Sequence, residues 1–213
     1  MKRSHLPGQP VHVLQRGNNS SPVFFGPQDA RLYLEWLTQT ALAEGVAIHA
    51  YVLMTNHIHL LATATTPAAL GRCMQSVGIR YTRHINGTKG RTGTLWDGPY
   101  RAANISDGRY VLNCSRYIEL NPVRNGLAAS ASAYRWSSYR ANADGQADAL
   151  ITPHPIYIAL GATPEARASA YRALFDEAIP DATLTAIRSA TNGGAELSAD
   201  YAPRPRGRPR RAA

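Results

Sequence analysis

Two histidines, His57 and His59, stand two residues apart in YVLMTNHIHLLAT, a stretch otherwise composed like buried β-structure. Side chains alternate across a strand, so both imidazoles share one face while Ile58 and Leu60 share the other. Same-face neighbours on a strand lie roughly 7 Å apart at their Cα atoms, close enough for two rings to converge on one ion. A lone buried histidine is accounted for by a backbone carbonyl. Two titratable rings side by side cost desolvation that something must offset, and a metal ion or a phosphate would each do so.

A second group of reactive side chains lies in GRYVLNCSRYIELNP. On a helix, Tyr110, Cys114, Tyr117, Ile118 and Asn121 fall at i, i+4, i+7, i+8 and i+11 and occupy one face. That face can be plain core packing, with the Tyr117 hydroxyl paired at its rim. If instead it lies on the sheet face bearing His57 and His59, two imidazoles, the Asn121 amide oxygen and a phenol meet in one place. A divalent ion held by neutral nitrogen and oxygen ligands keeps positions open for phosphate oxygens, and a neighbouring tyrosine can attack the polarised phosphorus. The product would be a phosphotyrosine. Exchanging one phosphodiester for another is reversible without ATP, which suits breaking and rejoining DNA better than net hydrolysis.

The elements that must position these groups follow from periodicity. Val11, Val13 and Gln15 alternate as a short strand that stops at Gly17. Tyr33, Trp36, Leu37, Thr40 and Ala41 recur at helical spacing between Gln28 and Glu44, with Gly45 as the stop. Val46 to Leu53 and His57 to Thr63 read as strands hairpinned at Thr55-Asn56. Thr66 and Pro67 open a second helix whose stripe is Leu70, Met74, Val77 and Tyr81, expected to end before Gly87. GTKGRTGTLWDGPY reads as a loop and YRAANI as a fourth strand. Ser106 or Asp107 caps a third helix that Pro122 ends. The order βαββαβ predicts an α+β, ferredoxin-like core, an antiparallel sheet with helices on one face. Further on come the aromatic segment YRWSSYR, a proline-bearing linker ITPHPIY, a helix from Thr163 and Pro164 through Phe175, and a short helix over Ala182 to Ala190. The expected organisation is a catalytic core at 1–130, a helical C-terminal extension at 131–190 and a flexible Arg/Pro-rich tail at 191–213.

Composition bounds the environment. The chain has 213 residues, 44% of them hydrophobic, enough for one domain with an appendage. Cys73 and Cys114 give no disulfide framework, which predicts a reducing compartment. No apolar run approaches the roughly 20 residues that span a bilayer, so the expected setting is cytoplasmic and nucleoid-associated, with no membrane partner. The net charge of +9 points to a polyanionic partner, and five of the arginines crowd into APRPRGRPRRAA at the end.

Four stretches, YVLMTNHIHLL, RTGTLWDGPYR, CSRYIELNPVRNG and WSSYRANA, resemble the REP-associated tyrosine transposases in the family's own order. That family lies within the single-strand DNA transposases sharing a His-hydrophobic-His motif, and the likeness runs from about Val11 to Gly161. The resemblance implies a metal-dependent endonuclease and strand transferase on single-stranded DNA, acting at palindromic repeat hairpins as a monomer or homodimer. By position, His57 and His59 would hold Mg²⁺ or Mn²⁺, Asn121 would complete the protein ligands, and Tyr117 would take the 5′ phosphate and free a 3′ hydroxyl. Asn121 stands where some members of the wider superfamily carry glutamine. Two other readings are a repeat-hairpin binder without catalysis and a rolling-circle nickase. The intact set of His57, His59, Tyr117 and Asn121 argues against the first, and the lack of a second tyrosine beside Tyr117 against the second.

DNA contacts are expected from the polar cluster Gln15, Arg16, Asn18 and Asn19, and from Arg101, Arg116 and Arg124 on phosphates. Trp96 could stack on an unpaired base, although a tryptophan in such a loop more often anchors it to the core. PRGRP, Pro205 to Pro209, resembles an AT-hook that would lay Arg206 and Arg208 in a narrow minor groove. His49 and His84 show no partner in the sequence and read as structural.

Overall fold

The computed structural model describes residues 5–202. Strands β1 (Pro10–Arg16), β2 (Val46–Met54), β3 (His57–Ala64) and β4 (Arg101–Asn104) form an antiparallel sheet in the order β2-β3-β1-β4. Helix α1 (Pro27–Glu44) links β1 to β2 and α2 (Ala69–Lys89) links β3 to β4, the ferredoxin-like arrangement the sequence predicts. There follow α3 (Arg109–Glu119), α4 (Asn121–Arg124), α5 (Tyr139–Asp144), α6 (Pro155–Ile158), α7 (Pro164–Ala173) and α8 (Asp181–Gly193).

The two-residue period of the strands divides the core. Val11, Val13, Ile58 and Leu60 face α1 and α2, which contribute Tyr33, Leu37, Met74 and Tyr81. Ala50, Val52, Leu61 and Ala103 face the opposite way, where α3 and α8 supply Cys114, Ile118, Ile187 and Ala190. The two crossover helices thus share one face as expected, and later elements cover the other.

Local signals explain most boundaries. Gly45 ends α1 in the left-handed region at φ 67°, returning its N–H to the carbonyls of Ala41 and Leu42. Helix α2 passes through Gly87 and stops at Gly90, at φ 59°. Glycine within a helix costs only about 1 kcal/mol, and it is the left-handed turn that ends one. Thr163 caps α7 by accepting from the Ala166 N–H at 3.2 Å.

The C-terminal segments close the sheet edges. Along β2, Leu53 N–H donates to the Trp136 carbonyl at 2.9 Å, Ser138 N–H to Tyr51 at 3.0 Å and Thr152 N–H to Ile48 at 2.7 Å. On β4, Leu197 N–H donates to the Asn104 carbonyl at 2.7 Å. Strand edges covered in this way offer no template for another chain. Residues 191–197, expected to begin the flexible tail, therefore belong to the packed body, with Thr191 and Leu197 both buried. Arg206, Arg208 and the rest of the PRGRP segment lie outside the described residues.

Glu119, fully buried at the end of α3, ties this helix to the extension. It accepts from Ser138 Oγ at 2.5 Å, Asn142 Nδ2 at 2.8 Å and the Tyr171 hydroxyl at 2.8 Å. Burial pushes its carboxyl up to about 7, against the pull of these three bonds. A carboxyl whose folded pKa exceeds its ordinary 4.5 stabilises the fold most at acid pH, and that contribution is lost as pH rises toward 7. The contribution of Glu119 should therefore fall by up to ~3 kcal/mol between pH 5 and 8, so the stability of the parent relative to Glu119→Gln should decline across that range. Denaturant melts across that range measure both, and a slope unchanged in Glu119→Gln would assign the titration to another group.

Candidate active site

Strands β1 and β3 pair with Leu14 opposite His59 and Arg16 opposite His57, so His12, Leu14, Arg16, His57 and His59 all project from one face. The His57 and His59 ring centroids lie 5.2 Å apart. Helix α3 lays Tyr117 over them, its ring 5.7 Å from His59 and 5.6 Å from His12. These side chains, with Asn121 and Arg124 of α4 and Arg188 and Asn192 of α8, line an open cleft of about 470 Å³.

A break in the helix delivers Asn121 and Arg124. Pro122 has no N–H for the turn before it, and the chain loosens at Leu120 before α4 begins. Asn121 is buried, and its Oδ1 accepts from Asn125 Nδ2 at 2.8 Å. Arg124 folds back over the Tyr117 ring, with Cζ 4.3 Å from the centroid, and donates through Nη2 to the Tyr117 carbonyl at 2.6 Å. Its Nη1 is buried without a partner. An unpaired buried cationic donor is costly, and a phosphate oxygen in the cleft would satisfy it.

Burial keeps the imidazoles neutral. It draws His57 down to about 4, helped by the charge of Arg16 and opposed by the Asn121 amide. His59 is held well below its ordinary value by burial first, then by His12 and His57. His12 drops to about 3 through burial and Arg124. Burial also lowers Arg124, while the Tyr117 phenol pulls the other way. Neutral imidazole is the ligating form. Two such nitrogens and an amide oxygen are neutral donors that could hold a divalent ion and leave coordination positions open. No group of three His, Cys, Asp or Glu side chains converges as a metal cluster among the described residues. The candidate set holds no carboxylate, so it would leave an ion's charge undiminished toward phosphate.

The structure thus gathers His57, His59, Tyr117, Asn121, Arg16 and Arg124, and it disperses others. Gln15, one residue out of phase with Leu14 and Arg16, is buried on the opposite face toward Gly78 of α2. Asn18, half-buried, and Asn19, exposed, belong to a single 3₁₀ turn outside the cleft lining. Trp96 is no stacking platform: it is 5% exposed and packed among Tyr33 and Tyr81, each with its ring 6.1 Å away. Arg116 points away from the cleft, buried over the Phe175 ring and bonded to the Glu177 carbonyl. Arg101 reaches the rim through Asn192 Oδ1 at 3.2 Å. His49 is structural as expected, held by the Thr152 carbonyl and Thr63 Oγ1 at 2.6 and 2.8 Å. Sequence reasoning missed His12, Arg188, Thr191 and Asn192. His12 carries a signal, alternating with Leu14 and Arg16, and the other three share one face of α8 at i, i+3 and i+4.

Residues 8–121, more than half of the chain, match the model of the IS200-like transposases, and the chain belongs to that family of DNA-transposing enzymes. Its fold is similar to the solved structure of a REP-associated tyrosine transposase bound to a REP hairpin. The TM-score is 0.59 at 15% identity, over 72% of this chain and 91% of that one. A protein described as a transposase from Deinococcus radiodurans is also similar, at 20% identity and TM-score 0.40, covering 56% of this chain and 96% of that one. No protein of curated function matches the sequence.

The placement of Trp96 separates packing from DNA contact. Trp96→Ala should cost about 3–5 kcal/mol of stability by opening a cavity beside Tyr33 and Tyr81. Trp96→Phe should recover most of this and bind single-stranded DNA as the parent does. A folded Trp96→Phe variant with markedly weaker DNA binding would put the indole in contact with nucleic acid.

Proposed function

We propose that the cleft cleaves and rejoins single-stranded DNA through a 5′-phosphotyrosine on Tyr117, with a divalent ion, Mg²⁺ or Mn²⁺, held by His57, His59 and Asn121. The observation that carries this reading is the convergence of the neutral His57–His59 pair, the Asn121 amide and the Tyr117 ring beneath the Arg124 guanidinium. When bound, the ion would act as a Lewis acid that polarises a phosphoryl oxygen. Tyr117 supplies the nucleophile: its oxygen bonds to phosphorus as the bond to the 3′ oxygen breaks. The phenol proton ends on the released 3′ hydroxyl, and attack by a 3′ hydroxyl reseals the strand. Arg124 lies against the phenol, where its charge favours the developing oxyanion, and its spare Nη1 can donate to a phosphate oxygen. Arg16 and Arg188 add positive charge along the cleft for the incoming strand.

Membership of the transposase family and similarity in fold to a hairpin-bound relative support palindromic repeat hairpins as the DNA recognised. In this scheme residues 1–130 carry the chemistry, 131–190 buttress it, and the arginine-rich end of 191–213 adds attraction for phosphate.

Phenylalanine keeps the ring of Tyr117 and removes only the oxygen. Tyr117→Phe should fold and bind hairpin DNA but form no covalent adduct and leave the strand uncut, read on a gel resolving protein-linked from free DNA. An adduct persisting in this variant would move the nucleophile, with Tyr110 of the same helix the first alternative.

Deleting residues after Asp200 removes five arginines. Hairpin affinity should weaken and its salt dependence flatten by about 0.7 in log–log slope for each phosphate no longer neutralised. Equal slopes for the full and shortened chains would show that the tail does not touch DNA.

A further inference from the structure

We infer that His12 and Thr191 act as a positioning pair that fixes the proton of His59 on Nδ1, leaving its Nε2 lone pair for the ion; this rests on the metal reading above. Side chains from β1 and α8 would then belong to the metal centre without touching metal.

The inference comes from counting donors along a buried chain of bonds. His59 Nδ1 lies 2.9 Å from His12 Nε2, and His12 Nδ1 lies 2.7 Å from Thr191 Oγ1. Thr191 Oγ1 is also 2.8 Å from the Ile187 carbonyl, one helical turn back. Two proton arrangements satisfy both imidazoles as neutral rings. In the first, Thr191 donates to Ile187, His12 Nδ1–H donates to Thr191, and His59 Nδ1–H donates to His12: three bonds, with His59 Nε2 left bare. In the second, Thr191 donates to His12 and His12 donates to His59: two bonds, with a proton left on His59 Nε2. The first keeps one more hydrogen bond inside the protein, where an unmade bond is expensive, and it alone leaves a lone pair for a metal.

An independent network brings His57 to the same state. Asn56 Nδ2 donates to the Ser20 carbonyl at 3.0 Å, which fixes the amide with its oxygen toward His57 Nδ1, 2.7 Å away. That oxygen can only accept, so His57 carries its proton on Nδ1 and also keeps Nε2 free. Two unrelated sets of partners thus hold the two histidines in the one tautomer that lets both ligate through Nε2. Metal-ligating histidines are commonly oriented in this way by what their other nitrogen donates to. His12 is itself stacked on His59, with centroids 5.0 Å apart and planes at 16°, so it fixes the ring as well as the proton.

The test uses the full chain and Mn²⁺ alone. In metal-free protein, imidazole ¹⁵N shifts should show Nδ1-protonated tautomers for His12 and His59. By calorimetry, His12→Leu and Thr191→Val should each weaken Mn²⁺ binding about 10- to 100-fold with thermal melts showing folded protein. His12→Gln, whose Oε1 can still accept from His59, should recover most of the loss. Should His12→Leu fail to fold, Thr191→Val, matched in shape, decides the matter. A predominant Nε2 proton on His59, or parental Mn²⁺ affinity in folded Thr191→Val, overturns the inference. His57→Ala separates it from the reading beneath it. If that variant binds Mn²⁺ as tightly as the parent, or the parent binds none, the metal centre itself falls and the positioning pair with it. If His57→Ala loses the ion while Thr191→Val and His12→Leu keep it, the positioning pair alone falls.

Discussion

The register between β1 and β3 is the constraint on which the rest depends. Val13 opposite Leu60 and Val11 opposite Ala62 lock one face under α1 and α2, and the same pairing puts Leu14 opposite His59 and Arg16 opposite His57 on the other. A slip of one residue would turn the histidines into the apolar core and the valines toward the cleft. The hydrophobic face therefore does more than supply stability. It holds in place the polar groups on the face it does not touch.

Such an arrangement creates its own difficulty, because imidazoles and an arginine next to a sheet must be sheltered without being left unpaired. Helices α3 and α8, packed on this same face, resolve it together. The Tyr117 ring stands nearly perpendicular to those of His12 and His59 while Arg124 lies over it, and α8 brings Thr191 to the buried nitrogen of His12. On the far side of α3, Glu119 gathers three hydrogen bonds from the extension. The helix that carries the candidate nucleophile is thus fastened away from the cleft, and Tyr117 need not provide the anchoring itself.

What the sequence disclosed follows from range. His57 and His59 are a pair whose relative placement is set by strand periodicity, so their spacing alone carries the information, and Tyr117 and Asn121 are close enough in sequence that the break at Leu120 still leaves both on the cleft. The crossover helices and the hairpin are legible for the same reason. Gln15 and Arg16 are neighbours in sequence, but alternation sends one into the core and the other into the cleft, a split visible only once the strand's inner face is known. Arg116 lies off the cleft because residue type alone does not fix environment: its guanidinium meets Phe175 and the Glu177 carbonyl, while Trp96 packs against Tyr33 and Tyr81 in the loop-anchoring role open to it from the sequence. Thr191 carries only the helix-face signal it shares with Arg188 and Asn192, and nothing local points to its partner His12, 179 positions away.

That separation bears on what the extension is for. A βαββαβ core already contains every side chain assigned to the chemistry apart from those on α3 and α4, and residues beyond it could be dispensable ornament. Three observations argue otherwise. Residues 136–138 and 152 complete the outer edge of β2, Leu197 completes that of β4, and Thr191 ends the hydrogen-bond chain that starts at His59. Each is a backbone or side-chain group that the core would otherwise leave unpaired in a buried or edge position, where the loss is largest. No fragment ending before α8 contains that chain of bonds. The polar centre and the two sheet edges are therefore completed by the same late segments, so the geometry of the cleft depends on the fold having closed around it.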